Sequence, residues 1–116
     1  VYDVVYQALQ CAIAKAEPGG SLDEIHKAAV QTITRGLVEL GILQGKVSQL
    51  ISSEAYRKYY MHRSSHWLGL DVHDIAPLYC DEHFVPHTSR PLEPGNVFTI
   101  EPGLYFDPKD SYCQAR

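Results

Sequence analysis

A short histidine-rich stretch carries most of the side chains that could do chemistry. Residues 62–74 hold three of the six histidines and two aspartates: His62, His66, His73, Asp71 and Asp74. Histidine and aspartate are costly to bury unless they are hydrogen-bonded or bound to a metal. Because His62 and His66 are four residues apart, they share a face in a helix and also in a strand. The stretch predicts a functional site; the alternative is a set of hydrogen-bonded structural histidines with an aspartate that caps a turn.

A single carboxylate, Glu101, follows the apolar residues 97–100. An ionised carboxylate next to an apolar run is costly unless it is paired or bound to a metal. The alternative is that Glu101 ends a strand and reaches water. Imidazole and carboxylate ligands together suit zinc, manganese, cobalt or iron(II) better than calcium. We therefore expect Glu101 and the histidine stretch to meet at a metal site, which one histidine and one glutamate alone do not complete.

Helical patterns precede the histidine stretch. A first helix is predicted over residues 1–16, ended by Pro18 and the two glycines after it. The second is predicted to begin at Ser21, which forms a capping box with Glu24, and to run for about twenty residues to Gly41. A shorter helix is predicted around residues 47–51. His26 is assigned to the solvent face of the second helix.

The remainder reads as loop and strand. Prolines break residues 75–96 into loop, with a turn at Pro94-Gly95. Residues 97–100 and 104–106 are predicted strands around a Pro102-Gly103 corner. Trp67 and Leu70 are assigned to the core. Two long helices followed by β and loop elements predict an α+β fold, with the helices packed on one face of a curved sheet.

Composition excludes two classes of partner. The 116 residues are one domain's worth. With a net charge of -4 and no cluster of lysine and arginine, the sequence indicates no nucleic-acid surface. No apolar run approaches the roughly 18 residues of a membrane span, and the first residues do not show a charged region followed by an apolar one, the pattern of a signal peptide. We expect a soluble, cytoplasmic protein.

Two strings of sequence carry a family resemblance. Residues 60–74, YMHRSSHWLGLDVHD, and residues 92–105, LEPGNVFTIEPGLY, closely resemble the catalytic domain of aminopeptidase P, the Xaa-Pro aminopeptidases. That family shares the pita-bread fold with prolidase, creatinase and methionine aminopeptidase. The resemblance implies a partial pita-bread fold, with two long helices packed on a curved antiparallel sheet. It also implies hydrolysis of the bond between an N-terminal residue and a following proline, by a full-length enzyme that is a homo-oligomer.

The resemblance also implies roles for single residues. His66 matches a metal ligand, and Glu101 matches a carboxylate that binds metal and acts as base for the attacking water. His62 and His73 match histidines that contact the peptide substrate and stabilise the tetrahedral intermediate. The implied cofactors are two divalent ions, manganese first, with zinc, cobalt or iron as alternatives.

The same resemblance implies that the metal site is incomplete. The family's two metal-binding aspartates and its last glutamate have no counterpart in residues 1–116. The chain is thus expected to be a single partial domain, a fragment of the C-terminal catalytic domain, and inactive alone. Two alternatives stay open: a prolidase-type Xaa-Pro dipeptidase, and a non-catalytic remnant that acts as a binding module.

Overall fold

Helices form the first part of the chain in the computed structural model, which describes residues 1–74 and 90–110. Within these ranges α1 spans Tyr2–Ile13, α2 spans Leu22–Glu39 and α3 spans Val47–Ser52, followed by a 3₁₀ helix over Ala55–Lys58. None of these helices is long and apolar enough to cross a membrane. The three predicted helices are therefore confirmed in kind and order.

The first helix ends earlier than predicted. After Ile13 the chain tightens into a 3₁₀-type turn, in which the Lys15 N–H donates to the Ala12 carbonyl at 3.0 Å and the Ala16 N–H donates to the Ile13 carbonyl at 2.9 Å. These bonds join residues three apart, a pattern that is common at helix ends. The prediction of helix up to residue 16 was too long, because apolar spacing does not distinguish a final 3₁₀ turn from the α-helix before it.

The ends of α2 follow local sequence signals. Ser21 has an extended backbone, and its hydroxyl accepts the Glu24 N–H at 3.2 Å. This bond confirms the predicted cap at the start of α2. At the other end Gly41 has a φ of 72°, the left-handed conformation that favours glycine. The Ile42 N–H donates to the Leu37 carbonyl and the Gly41 N–H to the Val38 carbonyl, each at 2.9 Å. This is a Schellman motif, which ends the helix where the sequence predicted.

Close packing of α1 on α2 forms the core. The buried face of α2 includes Ile25, Ala29, Ile33 and Leu37, which recur at four-residue spacing. At Gly36 the two helices approach so closely that an added Cβ would lie 2.4 Å from Cγ1 of Val4. Position 36 therefore requires glycine, because Val4 of the neighbouring helix leaves no room for a Cβ.

The predicted α+β fold, a partial pita-bread with helices on a curved antiparallel sheet, is wrong for the residues that the structure describes. They form two isolated bridges, Ser21 with Pro91 and Trp67 with Phe98, and no strand at residues 97–100 or 104–106. Residues 64–68 and 97–101 do run antiparallel, and the Thr99 N–H donates to the His66 carbonyl at 2.9 Å. The His66 N–H, however, donates to the Thr99 hydroxyl. The reciprocal backbone bond of an antiparallel pair is thereby replaced, and the ladder is interrupted.

The turn at Pro94-Gly95 is confirmed. Gly95 has a φ of 92° and the Asn96 N–H donates to the Glu93 carbonyl at 3.1 Å, as in a type II turn. Just before it, Leu92 exchanges backbone bonds with the connection between α1 and α2. The rest of the predicted loop, residues 75–89, lies outside the described residues.

Of the two residues in the histidine stretch that were assigned to the core, one is buried and the other is exposed. Trp67 is buried, as predicted, and its ring packs edge-on against Phe98 with centroids 6.0 Å apart. Leu70 is fully exposed, so its assignment to the core was wrong. It lies in the turn between Trp67 and Asp74, which the bond from the Asp74 N–H to the Trp67 carbonyl closes and in which residues 68–73 are exposed.

Gly36→Ala should lower the free energy of unfolding by about 1–2 kcal/mol. Overpacking against Val4 costs about 1–3 kcal/mol, and the better helix propensity of alanine recovers up to about 1 kcal/mol of this. Chemical denaturation of the purified protein measures the change. In a double-mutant cycle with Val4→Ala, the second substitution should relieve part of the loss. Strict additivity of the two changes would contradict the proposed close approach.

Candidate functional site

The paired segments bring His66 and Glu101 together. The Glu101 N–H donates to the Ser64 carbonyl at 2.7 Å, next to the bond between Thr99 and His66. With the backbones held in this register, Nε2 of His66 lies 2.9 Å from Oε1 of Glu101. Glu101 is exposed toward solvent while His66 is half-buried. The two residues that spacing and resemblance assigned to metal binding are thus direct neighbours.

The Trp67 carbonyl sets the orientation of the His66 ring. It lies 2.9 Å from Nδ1 of His66, so Nδ1–H donates to it and, in the neutral ring, the lone pair of Nε2 faces Glu101. Histidines that bind metals commonly donate their second ring N–H to a backbone carbonyl in this way. The same carbonyl accepts the Asp74 N–H at 3.1 Å, which closes the turn that returns His73 to the site.

Thr99 connects the two candidate ligands. Its hydroxyl accepts the His66 N–H at 3.1 Å and donates to Oε1 of Glu101 at 2.9 Å. One hydroxyl therefore fixes both the backbone of the histidine and the carboxylate of the glutamate. Sequence reasoning missed Thr99, although its position two residues before Glu101 in an extended segment places both side chains on one face.

The His66 and Glu101 pair fits a metal ion. With Nδ1 protonated, Nε2 of His66 and the carboxylate of Glu101 both present lone pairs to the space between them. Two ligands each about 2.1 Å from one cation, at roughly a right angle, are about 3 Å apart. The observed 2.9 Å agrees with that arrangement. Among residues 1–74 and 90–110 no group of three or more His, Cys, Asp or Glu side chains could hold a metal, so this pair accounts for part of a site.

The other two predicted histidines lie beside this pair. The ring of His73 meets that of His66 edge-on, with centroids 4.4 Å apart. Nδ1 of His62 is 2.7 Å from the Arg63 carbonyl, to which it donates, and Nε2 of His62 is 2.9 Å from the Tyr105 hydroxyl. In neutral His62 the tyrosine O–H is the donor of that second bond. Tyr105 is a further site residue that sequence reasoning treated only as part of a strand.

One open pocket of ≈ 340 Å³ contains all four predicted site residues. Its lining consists of His62, Arg63, Ser65, His66, His73, Glu101 and Tyr105. Asp71 and Asp74 are not part of this lining. The carboxylate of Asp74 lies against Gly69, where it contributes to the turn. The pocket combines two metal-ligand types, two further histidines and a phenol, which is a suitable set for metal-assisted hydrolysis of a peptide bond.

The assignment of His26 to the solvent face was wrong. His26 is half-buried, and its Nδ1 lies 2.9 Å from the Ser64 hydroxyl and accepts the Ser64 N–H at 3.2 Å. Burial, and secondarily the Arg63 guanidinium, lowers the pKa of His26 to about 4. A signal was present in the sequence, since Leu22 and Val30 lie four residues to either side on the apolar stripe.

The chain is similar in sequence to known peptidases. The model of metallopeptidase family M24 matches residues 1–115. Xaa-Pro aminopeptidase from Escherichia coli is 45% identical over 108 residues, which cover 93% of this chain and 23% of that protein. Xaa-Pro aminopeptidase from Haemophilus influenzae is 44% identical over 105 residues, with 90% and 23% covered. The chain thus spans about a quarter of the length of these relatives.

Solved structures agree with the sequence matches. Aminopeptidase PepP from Pseudomonas aeruginosa superposes with a TM-score of 0.88 at 43% identity, over 96% of this chain and 24% of that one. Zinc-substituted aminopeptidase P from Escherichia coli, in complex with product, superposes with a TM-score of 0.85 at 44% identity and the same coverage.

Thr99→Val should weaken metal binding about tenfold or more, as is typical for partners that orient metal ligands. The valine has nearly the same shape but removes the hydroxyl that holds His66 and Glu101. The measurement is titration with Mn²⁺ of the natural polypeptide that carries this segment, at its full length. Thr32→Val is the matched control, because the Thr32 hydroxyl only donates to the Ala28 carbonyl of its own helix. Equal Mn²⁺ affinity of the Thr99 variant and the unsubstituted protein would refute this role.

Proposed function

Because the chain belongs to metallopeptidase family M24, we propose that it supplies metal-binding and substrate-contacting residues to an enzyme that removes an N-terminal residue from a following proline. The observation that carries this proposal is the His66 and Glu101 pair, held 2.9 Å apart with Nδ1 of His66 engaged by a backbone carbonyl. The curated relatives, which are Xaa-Pro aminopeptidases, support the substrate class. The substrate is a peptide with proline at its second position.

Metal binding falls to the two paired residues. His66 offers the lone pair of Nε2 and Glu101 offers its carboxylate. Two divalent ions, manganese first, with zinc, cobalt or iron as alternatives, would polarise the scissile carbonyl and lower the pKa of a bound water when present. The remaining ligands come from outside residues 1–116, in agreement with coverage of about a quarter of the relatives. On this proposal the chain is a single partial domain of a catalytic domain.

In this proposal Glu101 accepts the proton of the attacking water. The attacking water must lose a proton as it bonds to the carbonyl carbon, and a carboxylate in contact with that water accepts it. Thr99 donates to Oε1, which holds the carboxylate in one orientation toward the pocket. The same group can then deliver the proton to the leaving proline nitrogen.

Substrate contact falls to His62, His73 and Tyr105. His73 lies against the ring of His66 at the pocket wall, where it can donate to the oxyanion of the tetrahedral intermediate. His62 is joined to the Tyr105 hydroxyl, so the two groups act together. In the neutral state the tyrosine supplies the proton of that bond. His62 can donate from Nε2 only when the ring is doubly protonated or takes the other tautomer, which gives up the bond from Nδ1 to the Arg63 carbonyl.

Oligomer formation and a cytoplasmic location stay predictions from the sequence. Two alternative functions also remain within reach of a test. A prolidase-type enzyme would cleave only Xaa-Pro dipeptides. A binding module would hold a peptide or a partner without turnover.

Glu101→Gln should reduce hydrolysis by about 10²–10⁴-fold, because the amide cannot accept the proton of water. The assay follows cleavage of a tripeptide with proline at the second position, a matched tripeptide with alanine there, and an Xaa-Pro dipeptide. It uses the full-length natural polypeptide with Mn²⁺. Glu93→Gln, at an exposed glutamate of the nearby turn, is the control. Cleavage restricted to the dipeptide would favour a prolidase, and a metal-loaded protein that cleaves none of the three would refute the peptidase proposal.

The isolated 116-residue chain should neither hydrolyse these peptides nor bind Mn²⁺ tightly. The two ligands found among the described residues cannot complete a site for a divalent ion, which takes four or more donors. Calorimetric titration and the same peptide assay measure both properties. Turnover by the isolated chain at a rate near that of the full-length polypeptide would show that residues 1–116 already hold a complete site.

A further inference from the structure

Ser64 occupies the position between the candidate site residues His62 and His66, and it is fully buried. Its backbone N–H donates to Nδ1 of His26 at 3.2 Å. Its hydroxyl contacts both Nδ1 of His26, at 2.9 Å, and the Tyr60 hydroxyl. Its carbonyl accepts the Glu101 N–H at 2.7 Å. Every polar group of this serine is therefore engaged, and each partner comes from a different part of the site or its support.

The directions of these bonds follow from the chemistry of the donors. The Ser64 N–H can only donate, so Nδ1 of His26 must be unprotonated and accept. The Ser64 hydroxyl then shares the single lone pair of this nitrogen with the N–H as a second donor, and it accepts from the Tyr60 hydroxyl. A proton on Nδ1 would instead face the Ser64 N–H. Burial lowers the pKa of His26 and so disfavours the imidazolium form, in which both ring nitrogens carry a proton.

The same support reaches the His62 ring. Tyr60, which is fully buried, holds the Ser64 hydroxyl and also packs edge-on against His62 with ring centroids 5.1 Å apart. Its own ring lies tilted against that of His26, with centroids 5.9 Å apart. The His26 ring on α2 is thus joined through Tyr60 to the ring of His62, and through Ser64 to the backbone two residues before His66.

We infer that His26 is a positioning residue of the site: by accepting from Ser64 it fixes the backbone that carries His62 and His66 and that receives the N–H of Glu101. His26 contacts neither candidate ligand, and it is not part of the pocket lining that holds them. It acts through its hydrogen bonds with Ser64 and through the ring contact with Tyr60. The inference rests on the proposed function only where activity is concerned, because its main readout is metal binding.

A test must separate the effect of losing the acceptor atom Nδ1 from the effect of losing the volume of the His26 ring. His26→Leu keeps an apolar side chain of similar reach but leaves the buried Ser64 N–H without its acceptor. His26→Asn keeps a carbonyl oxygen near the place of Nδ1. Lys27→Leu, one residue further along α2 and exposed, is the matched control.

The experiment measures the Mn²⁺ dissociation constant and the visible absorption spectrum of the Co²⁺-loaded form, in the full-length natural polypeptide. His26→Leu should weaken Mn²⁺ binding by about tenfold or more and change the Co²⁺ spectrum, since displaced ligands alter coordination. His26→Asn should recover most of the affinity and the original spectrum. Lys27→Leu should match the unsubstituted protein.

Thermal unfolding of each variant accompanies these measurements, which are made well below every melting temperature. If His26→Leu only lowers the melting temperature while its Mn²⁺ affinity and Co²⁺ spectrum stay unchanged, the inference is overturned. It is equally overturned if His26→Asn binds metal as poorly as His26→Leu. If the unsubstituted protein binds metal but cleaves no Xaa-Pro peptide, the proposed function fails, whereas weaker binding by His26→Leu alone still supports positioning by His26.

Discussion

The antiparallel contact between residues 64–68 and 97–101 is the interaction on which the site depends. Three backbone hydrogen bonds hold it, from Leu68 to Val97, from Thr99 to His66 and from Glu101 to Ser64. A shift of one residue in this register would turn the side chains of one segment to the opposite face. His66 and Glu101 would then no longer share the space between the segments. The arrangement of the candidate site is therefore a consequence of backbone pairing between residues 29 to 37 positions apart.

The helices support this contact between the two segments. Close approach of α1 and α2 at Gly36 and Val4 makes a firm layer, and α2 presents His26 to the segment that carries the candidate ligands. The 3₁₀ helix leads directly into the buried Tyr59 and Tyr60. The Tyr59 carbonyl accepts the Tyr105 N–H at 2.8 Å, which joins the chain just after residues 97–101 to the helical part of the structure. The candidate site is thus attached to the helical layer through more than one contact, although its own residues lie mostly in turns and extended chain.

Local sequence signals predicted local structure well, and they failed where distant segments decide the outcome. The boundaries of α2 could be predicted because Ser21 and Gly41 act on backbone groups within a few residues of themselves. The predicted sheet was wrong because the strand-like residue types at 97–100 do not reveal that the Thr99 hydroxyl, in place of the Thr99 carbonyl, accepts the His66 N–H. His26 was misplaced because its partner Ser64 lies 38 residues further along the chain. The candidate site residues could be proposed from the sequence because histidines and carboxylates crowd into a short stretch, whereas Thr99 and Tyr105 are residue types that give no such signal.

Metal binding and the pairing of the two segments are expected to support each other. In the tautomer set by the Trp67 carbonyl, Nε2 of His66 and the Glu101 carboxylate face each other with lone pairs at 2.9 Å. Two acceptors at this distance repel unless a cation or a proton lies between them. A metal ion would turn that repulsion into a bond that joins residues 64–68 to residues 97–101, so its binding free energy would add to the stability of the pairing. Because Thr99 and Ser64 hold the same two segments without metal, the ligands are already arranged before the ion arrives, and less of the binding free energy is spent in ordering them.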